Sequence, residues 1–381
     1  MGIIFSSFNG LEVSPKLRFK DENGVTFPCW KKYTLSHFLS SRVEKQIPTN
    51  EAPLMAFTAE GGVTDKGERY DRSFLVKSAD KLYKRTEFND FIYSSNNLDV
   101  GSIGLNKYGT AVISDVYEIF SVNKNGAPDF ISELIQRPFT LHKVLKFRQG
   151  CLYGQYRIYA SDFLSVSVFA PQLKEQKKIN NFLSLIDKRI EKQRQLVESL
   201  KKYKRGALSR VFNDILQTEK LSDISNFISS SRTLSSTLNN NKGIYPVYDA
   251  TGVAGYIDHY DIDSDYITIV KDGSGVGRLQ KCNKKSSFIG TLGALVAKNC
   301  TTDFLYAVLQ TIDFSKFVTG MAIPHIYYKD YKNTLIPFPC EIKQHSISQF
   351  LKKIDEYIEN ENKKLSNILT YKQGLLQQMF I

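Results

Sequence analysis

The chain has 381 residues, 42% hydrophobic and 12% aromatic, enough for two or three domains with cores of their own and incompatible with an intrinsically disordered chain. Its formal charge of +12 and pI near 9.2 suit a polyanionic partner, while leaving DNA, RNA and anionic lipid open. The absence of any run of eighteen apolar residues, and a start, MGIIFSSFNG, without a signal peptide's basic and apolar regions, predict a cytoplasmic protein with no membrane association.

Residues 1–30 read as an irregular lead-in, with turn formers Asp21, Asn23, Gly24 and Pro28. Residues 31–170 form a first mixed α/β domain that opens on Tyr33–Phe38. Strands are expected at Leu54–Thr58, Phe91–Ser94 and Ala111–Val122, and short helices at Ile131–Gln136 and Thr140–Phe147. Residues 171–213 then form one long helix. A second domain follows at 214–338, where Leu221-Ser222-Asp223-Ile224 echoes Leu35-Ser36-His37-Phe38. Its strands are expected around Tyr245–Tyr248, Tyr266–Val270 and Phe288–Leu292, and a helix at Thr302–Ile312. Residues 229–243, rich in Ser and Asn, read as an exposed loop, and residues 339–381 as a second long helix.

The two long helices are copies. At an offset of 168, Gln176 falls on Gln344, Ile179 on Ile347, Phe182 on Phe350, Asp187 on Asp355, Lys204 on Lys372, Gly206 on Gly374 and Phe212 on Phe380. The same offset carries Ile158, Tyr159 and Asp162 onto Ile326, Tyr327 and Asp330, so a unit of globular domain plus helix is duplicated. Within each copy, apolar residues recur at steps of four and three. Ile179, Leu183, Ile186, Ile190 and Leu200 form one coiled-coil seam, and Ile347, Leu351, Ile354, Ile358 and Ile368 the other. Each helix would span about 60 Å. The expected fold class is therefore α/β (α+β): two mixed domains separated by two long helices, paired as an antiparallel coiled coil with a pseudo-two-fold internal repeat. Polar seam residues suggest a register with Lys204 facing Glu361 and Gln193 facing Lys372, unless they sit on the wet edge of the seam.

Cys29, Cys151, Cys282, Cys300 and Cys340 occur singly and no H-E-x-x-H is present. Reduced, mostly buried thiols are expected, and no metal site is assigned. Asp272–Arg278 is glycine-rich but lacks the Lys-Ser/Thr of a phosphate loop, so it reads as a tight turn between strands, with backbone amides near DNA as the functional alternative. No adenine-methylation or nuclease motif is found, and no catalytic residue is assigned. Basic residues beside aromatic or turn residues, with one asparagine, are the candidates for nucleic-acid contact: Lys66, Arg69, Arg72, Lys77 and Arg157 in the first domain, and Arg232, Asn241, Lys242, Arg278, Lys281, Lys284 and His325 in the second. Arg157 and His325 coincide at the 168 offset.

The Pro171…Gln176-x-x-Ile179-x-x-Phe182-Leu183-x-x-Ile186-Asp187-x-x-Ile190 run, its second copy with the ending Tyr371-Lys372-x-Gly374-Leu375-Leu376, the lead-in Ser14–Phe19 before Trp30, and Gly320–His325 before Tyr327-Tyr328 resemble the specificity subunit of type I restriction-modification enzymes. The resemblance covers nearly the whole chain. It implies two target-recognition domains that each read half of a bipartite site in double-stranded DNA, with the helices as the ruler between the halves. It also implies two methyltransferase subunits that use S-adenosylmethionine to methylate adenine, and restriction subunits that use ATP and magnesium; this chain itself would hold no cofactor and be non-catalytic. A self-contained DNA-modifying enzyme and a coiled-coil adaptor without DNA specificity remain the alternatives.

Overall fold

A computed structural model describes residues 12–59, 61–65, 81–96, 98, 102–152, 155–229, 238, 243–320 and 323–381. The chain divides into two units. One comprises residues 1–191 with 366–381, the other residues 192–365. The helices Leu173–Asn213 and Glu341–Met379 thus contribute to both.

In the first unit a four-stranded antiparallel sheet runs Leu39–Ser41, Tyr117–Val122, Phe91–Ser94, Ile103–Leu105. The strand Phe91–Ser94 shows why an apolar run can serve as a strand between two cores. Successive side chains leave on opposite faces. Phe91 and Tyr93 enter a core with Trp30, Phe120, Phe130 and Phe163, while Ile92 packs on the other face with Met55, Phe57, Ile113 and Ile119. Helices Pro128–Gln136 and Pro138–Leu145 start on prolines, whose missing N–H costs nothing at a first turn.

The second unit has a sheet of the same order: Ser225–Ile228, Leu292–Ala297, Tyr266–Val270, Leu279–Cys282. Its inner strand divides its side chains in the same way. Ile267 and Ile269 enter one core with Phe304 and Leu305, and Tyr266 and Val270 another with Phe288. The helix Thr302–Leu309 is capped by the Thr301 hydroxyl, which accepts from the Phe304 N–H. Duplication therefore extends beyond the helices to the topology of the sheets.

Two strand expectations are corrected. Ala111–Val122 is two strands, Ala111–Ile113 and Tyr117–Val122, because the chain turns at Asp115-Val116; Phe288–Leu292 is the end of one strand, Ser287–Phe288, and the start of another, Leu292–Ala297, with Gly290 between them. Most of residues 229–243 lies outside the described residues. Among the cysteines, Cys29 and Cys340 are exposed rather than buried. Burial pushes the Cys282 and Cys300 thiols up to about 11, which keeps them protonated.

Both long helices begin alike. The Gln176 side chain donates to the Pro171 carbonyl (2.9 Å) and that of Gln344 to the Pro339 carbonyl (2.8 Å). Seam residues Ile179, Leu183, Ile190, Ile347, Leu351 and Ile354 are buried, and Ile186, Leu200, Ile358 and Ile368 half-buried. The helix ends do more than a coiled coil requires. Ile179 and Leu183 share the first unit's core with Leu375, Leu376, Met379 and Phe380, while Leu208 and Phe212 share the second's with Ile347 and Leu351.

Within the second unit the helical segments run antiparallel, since Gln193 meets Glu361 while the later Lys204 meets the earlier Asp355. The expected register is corrected accordingly. Lys204 bonds Asp355 at 2.6 Å in the second unit, and its repeat counterpart Lys372 bonds Asp187 at 2.6 Å in the first. Gln193 and Glu361, equivalent in the repeat, hydrogen-bond each other directly. The Gln193 amide donates to the Glu361 carboxylate (2.7 Å) and carbonyl (3.0 Å). Lys364, followed by Gln193, holds that carboxyl below its usual range. With Gln193 facing Glu361, neither lysine meets the seam partner expected for it, and each reaches an aspartate on the flank instead.

Candidate nucleic-acid interface

Each unit has an exposed corner of the same build. In the first, the hairpin Gln149–Leu152 and Gln155–Arg157 returns alongside the sheet, and the Ile158 N–H donates to the Ser95 carbonyl (3.0 Å) just past the strand Phe91–Ser94. In the second, Thr319 and His325 exchange backbone hydrogen bonds (2.8 and 2.9 Å), and the Ile326 N–H donates to the Lys271 carbonyl (3.0 Å) just past Tyr266–Val270. Next in each copy comes a buried isoleucine, Ile158 or Ile326, and then an exposed tyrosine, Tyr159 at 44% or Tyr327 at 50%. Each tyrosine precedes a short helix, Ala160–Ser165 or Tyr328–Tyr331.

Positive charge accompanies both rings. The Arg157 guanidinium stands 4.9 Å from the Tyr159 ring and 3.5 Å from the Glu118 carboxylate, and the Lys329 ammonium lies 5.3 Å from the Tyr327 ring. The His325 ring packs edge-on to Tyr327 at 5.0 Å. Its Nδ1 lies 3.1 Å from the Ile323 carbonyl, which can only accept, so Nδ1 carries a proton, and in the neutral ring Nε2 is then the acceptor. Beside it, the glycine-rich turn donates from the Gly273 N–H to the Pro324 carbonyl (2.9 Å).

That turn connects the strands Tyr266–Val270 and Leu279–Cys282, as its glycines suggest, with Gly273 and Gly277 at φ of 96° and 84°. Its amides are already engaged. Those of Val276, Gly277 and Arg278 bond the carbonyls of Gly273, Val270 and Gly275, so the alternative reading, backbone amides offered to DNA, loses most of its donors.

Of the other candidates, Arg278 is exposed, with one guanidinium nitrogen 3.3 Å from the Ala250 carbonyl. Lys284 is exposed and its ammonium has no partner among the described residues. Lys281 is engaged by Asp303 (2.6 Å) and the Tyr306 ring (4.8 Å), which ties a sheet edge to the helix Thr302–Leu309. Lys66, Arg69, Arg72, Lys77, Arg232, Asn241 and Lys242 lie outside the described residues. The first unit's corner thus joins Arg157 to Tyr159, and the second unit's joins His325 and Lys329 to Tyr327. Neither tyrosine nor Lys329 was a candidate from sequence, although the Ile158/Ile326 and Tyr159/Tyr327 matches at one offset were the signal that could have found the tyrosines.

Gly320 shapes the second corner. Its φ is 89°, and an added Cβ would stand 2.4 Å from the Ile323 carbonyl oxygen and 2.9 Å from the His325 ring. Gly320→Ala is expected to cost about 1–3 kcal/mol through backbone strain, read as a fall in thermal stability, whereas Gly24→Ala, also at positive φ but with open space around it, should cost less.

Surface clefts of ≈ 700 Å³ and ≈ 720 Å³ lie over the first turns of the two long helices, lined by Cys300, Glu341 and His345 in one and by Asp21, Lys174 and Lys178 in the other. Among the described residues no group of three or more His, Cys, Asp or Glu could hold a metal ion, and no helix is long and apolar enough to cross a membrane.

Residues 40–202 and 214–370 each match the family described as type I restriction modification DNA specificity domain. A curated relative, the specificity subunit of the type I restriction enzyme MjaVIII of Methanocaldococcus jannaschii, is 29% identical over 123 residues, which is 31% of this chain and 29% of that protein. The match therefore spans under a third of the relative's length. Among solved structures, the type I restriction-modification S subunit from M. genitalium has a TM-score of 0.60 at 17% identity, covering 97% of this chain and 99% of that one. A chain from work on complex assembly and conformational transition of the type I R-M system has a TM-score of 0.55 at 16% identity, covering 92% and 97%. At these identities the likeness is one of fold.

Proposed function

Because the chain belongs to the type I restriction modification DNA specificity family, we propose that it is the sequence-recognition subunit of a restriction-modification complex, non-catalytic itself. Each family-matching segment reads one half of a bipartite site in double-stranded DNA. Adenine methylation and cleavage fall to partner subunits: two methyltransferases that use S-adenosylmethionine, and restriction subunits that use ATP and magnesium. The complex acts in the cytoplasm.

The observation that carries this reading is the duplicated corner beside a duplicated sheet. Two recognition surfaces built alike but lined differently suit a site whose halves differ in sequence. Each mismatched base pair costs about 1–3 kcal/mol, roughly additively, so two modest half-sites together reach high discrimination. The net charge of +12 supplies the salt-dependent phosphate attraction that any such reader needs.

The test is a genome-wide map of methylated adenine in cells with and without the gene. Loss of one gapped motif is the expected result. Replacing residues 214–370 with the matching segment of another family member should then change one half of that motif and leave the other. An unchanged map, in cells whose methyltransferase co-purifies with this chain and is active, would overturn the proposal.

A further inference from the structure

The internal repeat makes it possible to ask what the two corners keep and what they vary. They keep the buried isoleucine, the exposed tyrosine and the backbone bond that anchors the return strand to the sheet. They vary the side chain two positions before the tyrosine, Arg157 in one and His325 in the other. Resting on the DNA-specificity reading above, we propose a division of labour: Tyr159 and Tyr327 bind backbone phosphates through their hydroxyls, and Arg157 and His325 contact base edges.

The chemistry follows from what each group can do. A phosphate is the same at every base pair, so the contact that sets a recognition unit's register on the duplex can be identical in both units, whereas a contact that reads bases has to differ if the half-sites differ. Neither tyrosine hydroxyl has a hydrogen-bond partner among the described residues, and both rings stay half exposed although the adjacent isoleucines are at 1% and 2%. In the second corner the Lys329 ammonium, 5.3 Å from the Tyr327 ring, adds attraction for an anion; in the first the cation near the ring is Arg157 itself, with Glu118 at 3.5 Å. At the variable position the two side chains offer opposite chemistry. The Arg157 guanidinium only donates and can fork onto the two acceptors of guanine in the major groove. With Nδ1–H directed to the Ile323 carbonyl, the neutral His325 ring presents an Nε2 acceptor, which suits an amino group of adenine or cytosine.

The test uses the full chain with the subunits it carries, and two duplexes of equal length, one with the motif from the methylation map and one without. Tyr159→Phe and Tyr327→Phe keep the ring packing and remove only the hydroxyls. Each is expected to weaken binding about three- to tenfold, by the same factor on both duplexes. The slope of log affinity against log salt should stay as in the wild type, because a neutral hydroxyl displaces no counterion. Arg157→Gln and His325→Gln should instead weaken the motif duplex far more than the control, each altering the methylation motif in a different half. Unchanged melting temperatures would show that all four variants are folded. Tyrosine variants that bind both duplexes as the wild type does, or that lose only motif binding, would overturn the phosphate assignment. Arginine or histidine variants that leave the motif intact would overturn the base assignment. If the wild-type complex binds both duplexes alike, the specificity reading itself fails, and the base assignment falls with it.

Discussion

Replacing Arg18 with methionine is expected to destabilise the first unit by about 3–5 kcal/mol, the usual cost of leaving one member of a buried ion pair alone. Arg18 lies in the irregular lead-in, where a substitution would ordinarily be mild. Its guanidinium grips Glu175 with two bonds, Nε to Oε1 at 3.0 Å and Nη2 to Oε2 at 2.7 Å, and donates to the Pro28 carbonyl at 2.6 Å. Glu175 is fully buried in the first turn of the long helix, where the helix dipole favours a carboxylate but cannot replace its counter-ion. One residue earlier, the Leu17 N–H donates to the Gln378 carbonyl (2.9 Å), so the lead-in fastens to both helical segments of its unit.

The readout is local. The chain has a single tryptophan, Trp30, buried beside Phe130 and Phe380 in this same unit, so its fluorescence during urea unfolding reports the region that Arg18 secures. The double variant Arg18→Met, Glu175→Leu removes both charges and should recover most of the loss. A double variant no more stable than the single one would show that the charge left behind is not the cause.

Much of this fold could be read from the offset of 168. It located both helices to within two residues at each end and tied the flanking domains together, because helix repeats keep their spacing when loops do not. The register was not legible. Pairing seam positions with each other assumes that side chains point straight across, and Lys204 and Lys372 instead reach flanking aspartates. Nor was the part the helix ends play in the globular cores. Leu208 and Phe212 lie off the a/d rows, so a coiled-coil pattern passes over them, yet both are buried by the sheet unit beside them.

The interface was legible only in part. Arg157 and His325 stood out as a coinciding pair of candidates, but basicity alone could not separate them from Lys281, which Asp303 engages. Charge is visible in a sequence; the partner that neutralises it depends on which elements the fold brings together. The exposed Tyr159 and Tyr327 were hidden for the opposite reason, since tyrosines beside apolar residues are ordinarily read as core.

Arg42→Met is the second large effect, and its size should depend on pH. Asp90 is buried and accepts from the Arg42 guanidinium at 2.6 and 3.1 Å, from the Glu87 N–H at 2.7 Å and from the Thr86 hydroxyl at 3.4 Å. Burial raises its carboxyl above the usual value, and the Arg42 hydrogen bond is the largest opposing influence. Removing the arginine takes away the strongest influence opposing burial and, among the described residues, the only counter-charge bonded to the carboxylate, so near pH 7 the variant should lose about 3–5 kcal/mol. A carboxyl whose value is raised on folding holds its proton more tightly in the folded state. Its favourable contribution is therefore full below the unfolded value and is lost as pH rises through the folded one. Acidification should consequently narrow the gap between Arg42→Met and wild type, although it weakens the ion pair in the wild type. Adding Asp90→Asn to Arg42→Met should flatten that dependence and restore part of the stability, because a neutral amide can be buried at much lower cost. Melting temperatures of the three proteins at pH 5 and pH 7 decide the matter. An equal deficit at both values would mean that it does not arise from an ionised Asp90 left without its partner.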